Sequence, residues 1–117
     1  KSSPSYIDEI RTLFITSCES DYSMDELAMR FNVNRYRMTR EFSEFVGMTP
    51  LKFLNNVRIE KARALIESTD LSISAVGIAV GIHNTTHFIN QFKEKLGVTP
   101  HAYREGYRAF RQISRNY

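Results

Sequence analysis

Cysteine occurs once in the 117 residues, as Cys18. A single thiol excludes an internal disulfide framework and every multi-cysteine zinc module, which fits a reducing cytosol. Long apolar runs are missing too: none approaches the roughly 18 to 20 residues needed to span a bilayer. The opening Lys-Ser-Ser-Pro-Ser lacks the hydrophobic stretch of a signal peptide. Neither export nor a membrane partner is expected, and a cytoplasmic location is. The first residue is not Met, which suggests a fragment of a longer protein. Strand signals are poor, because no segment alternates apolar and polar residues over more than a few positions. No glycine-rich phosphate loop and no carboxylate pair in a catalytic setting is visible, so neither enzyme activity nor a cofactor is expected. His83 and His87 have the i, i+4 spacing of a metal pair, yet no Cys, Glu or third His stands nearby to complete a site, and no metal is expected.

What is present is an ordinary globular composition, 42% hydrophobic and 25% charged, with eight Phe and six Tyr. That much apolar surface can offset the chain entropy lost on folding. The length allows one compact unit or two very small ones. The net charge of +3 conceals a division. Residues 1–33 hold three basic and six acidic side chains; from Asn34 onward thirteen basic face seven acidic. A strand of phosphates would prefer the basic body.

Helix signals are dense. Ile7, Ile10, Phe14 and Cys18 recur at spacings of three and four, so residues 5–18 read as an amphipathic helix with Cys18 a buried structural thiol. Ser23-Met-Asp-Glu26 is a capping-box pattern opening a short helix to about Phe31. Asn34 caps a helix to about Val46, with Met38, Phe42 and Phe45 inward, and Gly47 ends it. Thr49-Pro50 starts a long helix to about Glu67, Pro standing where its missing N–H costs nothing. Its apolar positions are Leu54, Val57, Ala62, Leu65 and Ile66. Ser72 or Ser74 opens a short helix through Val80, Gly81 makes a turn, and Asn84 caps a helix to about Leu96, stopped by Gly97. Thr99-Pro100 restarts a last helix with Tyr103, Tyr107 and Phe110 as its apolar side, before a basic tail at Arg115-Asn116-Tyr117.

Two Gly-x-Thr-Pro motifs, Gly47–Pro50 and Gly97–Pro100, lie fifty residues apart. The same offset pairs Phe42 with Phe92, Met38 with Phe88, Asn34 with Asn84 and Phe53 with Tyr103. Further upstream, one extra residue in the second turn lowers the offset to forty-nine, and Leu27-Ala28 meets Val76-Gly77. Each copy is a short helix, a tight turn and a longer helix, which is what a helix-turn-helix DNA reader needs. Ala28 and Gly77 are small enough to let the two helices approach closely. Helical pairs of this shape also occur in pure protein-interaction modules, so a module without DNA binding is the alternative.

Taking Met38 and Phe42 as inward and stepping 100° per residue, the opposite face carries Tyr36, Arg40 and Ser43, with Arg37 and Thr39 at its edges and Arg35 at the helix start. In the second copy Thr86, Asn90 and Lys93 point outward, flanked by His87. Arg donates two bonds to guanine, Asn exchanges two with adenine, and Thr meets a base edge or a thymine methyl. On the last helix Arg104, Arg108, Arg111 and Arg115 form a basic stripe, read equally as a solubilising face or as phosphate contacts, with Arg104 the foremost candidate.

These residues carry a specific resemblance. Met24-Asp-Glu-Leu-Ala28, Met38-Thr-Arg-Glu-Phe42, Gly47-Met-Thr-Pro50, Gly81-Ile82 and the stretch from Phe88 to Gly97-Val-Thr-Pro100 and Tyr103-Arg104 are similar to the DNA-binding domain of AraC/XylS-family bacterial transcription regulators. The resemblance implies an all-α fold of seven helices, in which a first helix-turn-helix subdomain (1–48) and a second (69–117) are joined by a linker helix (49–68). It implies a double-stranded promoter or operator DNA partner, read by two recognition helices of about 35–46 and 85–96 in successive major grooves. Base readout would fall to Arg35, Tyr36, Thr39 and Arg40 and to Thr85, Thr86, His87 and Asn90; phosphate contacts would come from Arg37, Ser43, Lys93 and Arg104. RNA polymerase and a separate N-terminal effector or dimerisation domain are the further implied partners.

Overall fold

The computed structural model describes residues 3–116; the expectations that touch residues 1, 2 and 117 lie outside it. Seven α-helices and no strand occur among the described residues: α1 (Ser5–Thr16), α2 (Met24–Arg30), α3 (Arg35–Val46), α4 (Pro50–Ser68), α5 (Ile73–Val80), α6 (Thr85–Leu96) and α7 (Pro100–Arg115). The chain forms two compact units whose boundary, between Val57 and Arg58, falls inside α4.

Local capping chemistry sets the starts. The side chains of Ser23, Asn34, Ser72, Asn84 and Thr99 each accept the backbone N–H three residues on, at 2.8 to 3.2 Å, which satisfies amides that have no partner in the first turn. Thr49 Oγ1 accepts the N–H of Lys52 at 3.3 Å ahead of α4. Gly47 and Gly97 adopt left-handed backbones that close α3 and α6 on the carbonyls of Ser43 and Lys93.

The first unit packs Ile7, Ile10 and Phe14 of α1 against Leu27 and Ala28 of α2, Met38 and Phe42 of α3, and Leu54 of α4. Helix α1 stops at Thr16, short of Cys18, whose side chain is nonetheless buried in this core. The hydroxyl of Tyr22 donates to the carbonyl of Ser17 at 2.7 Å beside that end. The second unit buries Ile59, Ala62 and Ile66 of α4 with Val76, Val80, Ile82, Phe88 and Phe92. The repeat is expressed in ring geometry: Phe42 and Phe53 meet edge-on at 5.6 Å and 71°, and Phe92 and Tyr103 at 5.7 Å and 70°.

Each unit closes its helix-turn-helix corner with the same backbone bond. The N–H of Val33 donates to the carbonyl of Ala28 at 3.1 Å, and that of Ile82 to Gly77 at 2.8 Å. The turn passes through one left-handed residue, Asn32 (φ 59°) in the first unit and Gly81 (φ 99°) in the second. Gly81 is expected from the sequence; Asn32 is not, although Asn is among the few other residues that visit this region readily. At Gly77 a Cβ would stand 2.9 Å from the carbonyl oxygen of Ile82 and 3.1 Å from the ring of Phe88, so the expected close approach is present.

Two expectations for α7 are corrected. Phe110 is 66% exposed and belongs to no core, because the helix beyond Tyr107 is exposed on every face among the described residues. Arg104, expected on phosphate, is 8% exposed. Its guanidinium donates to the carbonyls of Ile66 (3.2 Å), Thr69 (3.3 Å) and Leu71 (2.6 Å), joining α7 to the C-terminal end of α4, where carbonyls lack helical partners and favour a cation.

Two stability outcomes follow from these contacts. Gly77→Ala gains about 1 kcal/mol of helix propensity but drives a methyl group into backbone, so a net loss of about 1–2 kcal/mol is expected. A denaturation midpoint equal to or above the parent's would show that the corner yields. Arg104→Ala strands three carbonyls and should lower unfolding free energy by about 2–4 kcal/mol, with Arg104→Lys intermediate because it keeps the charge but not the fork. Chemical denaturation of the three proteins tests the ranking.

Candidate nucleic-acid interface

Helix α3 turns Met38 and Phe42 fully into the first core, which leaves the opposite side to solvent. Arg35, Tyr36, Thr39, Arg40 and Ser43, all named from the sequence, line one shallow concavity together with Asp25 of α2. Tyr36 is 87% exposed, so an aromatic ring stands in water with no core to fill. Arg35 lies 3.7 Å from Asp25. Arg37 sits at the edge and bonds Glu41 through Nε at 2.9 Å. Arg40 makes no hydrogen bond or ion pair among the described residues, which leaves its donors uncommitted in the concavity.

Glu41 couples this face to α1. Its carboxylate accepts the Tyr6 hydroxyl as well as Arg37 Nε. The Tyr6 bond holds the Glu41 carboxyl below the usual carboxylate range, against the opposing effect of burial and with further help from Arg37 and Arg40. Burial, then the bond to Glu41, pushes the Tyr6 phenol up to about 12. Sequence reasoning missed this contact; the signal available was a Tyr beside the apolar stripe of α1, which says nothing about a partner 35 residues on.

Helix α6 turns Phe88 and Phe92 inward and exposes Thr86, His87, Asn90 and Lys93. Thr85 is half-buried, and its hydroxyl donates to Ser74 of α5 at 3.1 Å, tying the two helices across the turn. The structure thus brings the outward candidates of each reading helix onto one face of that helix and removes Arg104 from the set. The remaining arginines of α7 divide: Arg108 is paired with Asp70 and Arg111 lies 5.9 Å over the Tyr107 ring. Among the described residues no group of three or more His, Cys, Asp or Glu could hold a metal ion, and no helix is long and apolar enough to cross a membrane.

Residues 27–106 match the profile of a helix-turn-helix domain family. The chain is 32% identical over 87 residues to the transcriptional regulator MtrA of Neisseria gonorrhoeae, covering 74% of this chain and 29% of that protein. It therefore spans about three-tenths of the length of this relative. Among solved structures, the DNA-binding domain of the global transcriptional factor AdpA in complex with a target DNA superposes with a TM-score of 0.86 at 29% identity, covering 95% of this chain and 98% of that one. A Chromobacterium violaceum regulator described as AraC-type superposes with a TM-score of 0.77 at 27% identity, over 88% and 92% of the two chains.

The depressed Glu41 carboxyl carries a sign. A carboxyl whose folded pKa lies below its unfolded value, about 4.3, contributes stability that is present above that value and lost as pH falls through the folded one. On acidification from about pH 6 to pH 3 the melting temperature of the parent should fall more than that of Glu41→Gln, the two converging at the acid end. Parallel curves would mean that Glu41 adds nothing.

Proposed function

The chain belongs to the AraC family of helix-turn-helix transcription regulators, and from that premise we propose that it binds double-stranded DNA sequence-specifically, with α3 and α6 entering successive major grooves. The observation that carries this reading is Arg40, a guanidinium without a hydrogen bond or ion pair among the described residues, in the concavity on the side of α3 opposite its buried stripe. Arg35, Tyr36, Thr39 and Arg40 read base edges from the first unit; Thr86, His87 and Asn90 do so from the second. Thr85 offers its methyl to a thymine, its hydroxyl being engaged with Ser74. Arg37, Ser43 and Lys93 contact phosphates and set the register of each helix.

The function is recognition, not catalysis, and it serves transcription control in a bacterial cytoplasm. RNA polymerase and an effector or dimerisation domain outside this segment are the partners that connect a bound site to regulation. A protein-docking module would present apolar surface on the same helices, whereas Tyr36 is the sole large hydrophobic strongly exposed on α3 and α6 among the described residues.

Selection from a random duplex library supplies the site. On it, Arg40→Ala should cost about 1–3 kcal/mol and loosen preference at one base pair. Affinity should drop steeply between low and physiological salt, as expected for several neutralised phosphates. An unchanged selected motif with Arg40→Ala would remove Arg40 from the reading face, and a flat salt response would favour the docking module.

A further inference from the structure

We propose that Tyr6 is a positioning residue for DNA contact by Arg37, acting through Glu41; the inference rests on the DNA-binding reading above. Tyr6 stands on α1, outside the family match at residues 27–106, and packs beside the core of the first unit. Its hydroxyl donates to Glu41 Oε1, and the same oxygen accepts Arg37 Nε at 2.9 Å. A neutral donor, a carboxylate and a guanidinium are thereby strung from the first helix to the edge of the reading face.

The order of dependence follows from how firmly each group is held. Tyr6 is adjacent in sequence to Ile7, which with Ile10 is fully buried, and its ring lies 5.9 Å from that of Phe31. The hydroxyl is therefore a fixed point. Arg37 is half-exposed, and the Arg37–Glu41 pair places the cation one turn before the anion, the weaker order for a helical ion pair. Such a pair alone would leave both side chains free to turn. The bond from Tyr6 takes that freedom from Glu41, whose side chain is 18% exposed, and the shared oxygen then takes Nε of Arg37. With Nε engaged, the terminal amines of Arg37 make no hydrogen bond among the described residues and are held ready for a phosphate. Because Tyr6 is uncharged at neutral pH, it supplies this order without adding a second anion beside the DNA.

The second unit lacks the device. Fifty residues on, His87 replaces Arg37 and Gln91 replaces Glu41, and Gln91 Oε1 is buried without a hydrogen-bond partner. Preset phosphate contact is thus a property of the first unit.

The test compares the unaltered chain with Tyr6→Phe, Arg37→Lys and the double variant on the selected duplex. All four carry the same charge, so the slope of log affinity against log salt should be common to them. Tyr6→Phe should weaken binding roughly three- to tenfold, Arg37→Lys by a similar factor, and the double variant no further than Arg37→Lys. In the free protein the Arg37 Nε–H resonance should exchange slowly with solvent and lose that protection in Tyr6→Phe, a change that a merely structural role for the ring would not produce while the fold stays intact by circular dichroism. Parental affinity for Tyr6→Phe, losses that multiply in the double variant, or a persistently protected Nε–H each overturn the positioning role. Failure of the unaltered chain to select any duplex overturns the DNA-binding reading instead.

Discussion

A single backbone hydrogen bond in each unit closes the corner ahead of the longer helix: Val33 to Ala28 in the first, Ile82 to Gly77 in the second. To form it, the chain must double back within five residues, which demands a left-handed residue in the turn and a very small side chain at the accepting position. Ala28 stands at this position in the first unit; in the second a Cβ would crowd the Ile82 carbonyl and the Phe88 ring, and Gly77 has none. The Asn caps follow within two residues, so the orientation of α3 and α6 is inherited from the corner. Every outward side chain of these helices points where it does because Met38, Phe42, Phe88 and Phe92 are drawn into cores behind that corner.

What could be read from residue order was the part governed by near neighbours. Ser23, Asn34, Asn84 and Thr99 cap amides three residues away, and Gly47 and Gly97 end helices through their own backbone angles, so helix limits were visible in short windows. The reading face was visible for the same reason: once Met38 and Phe42 are inward, geometry places Arg40 and Tyr36 outward. Arg104 escaped because its three acceptors lie 33 to 38 residues earlier and its spacing matched a surface stripe. A clue existed, since the fifty-residue offset pairs Arg104 with Leu54, a buried position. The Tyr6–Glu41 bond and the exposure of Phe110 were likewise settled by tertiary packing, not by local pattern.

The two copies keep their cores and corners alike while their margins diverge. Phe42–Phe53 and Phe92–Tyr103 superpose in ring geometry almost to the degree. Yet Leu54 answers to Arg104, Glu41 to Gln91, and Arg37 to His87. Helix α1 supplies Ile7, Ile10 and Phe14 to the first core as α4 supplies Ile59, Ala62 and Ile66 to the second, where Arg104 of α7 also anchors the end of α4.

The extra residue of the second turn is His83, exposed between the closing bond of Ile82 and the cap at Asn84. It sits downstream of the corner and upstream of the helix, the one interval where added length disturbs neither. A single residue there lends up to about 3.5 Å of reach, so the second unit keeps the closing bond of its corner while its cap begins one residue later. The interval between corner and cap, empty in the first unit and one residue long in the second, is thereby the place where the length of this repeat varies while both neighbouring sets of hydrogen bonds persist.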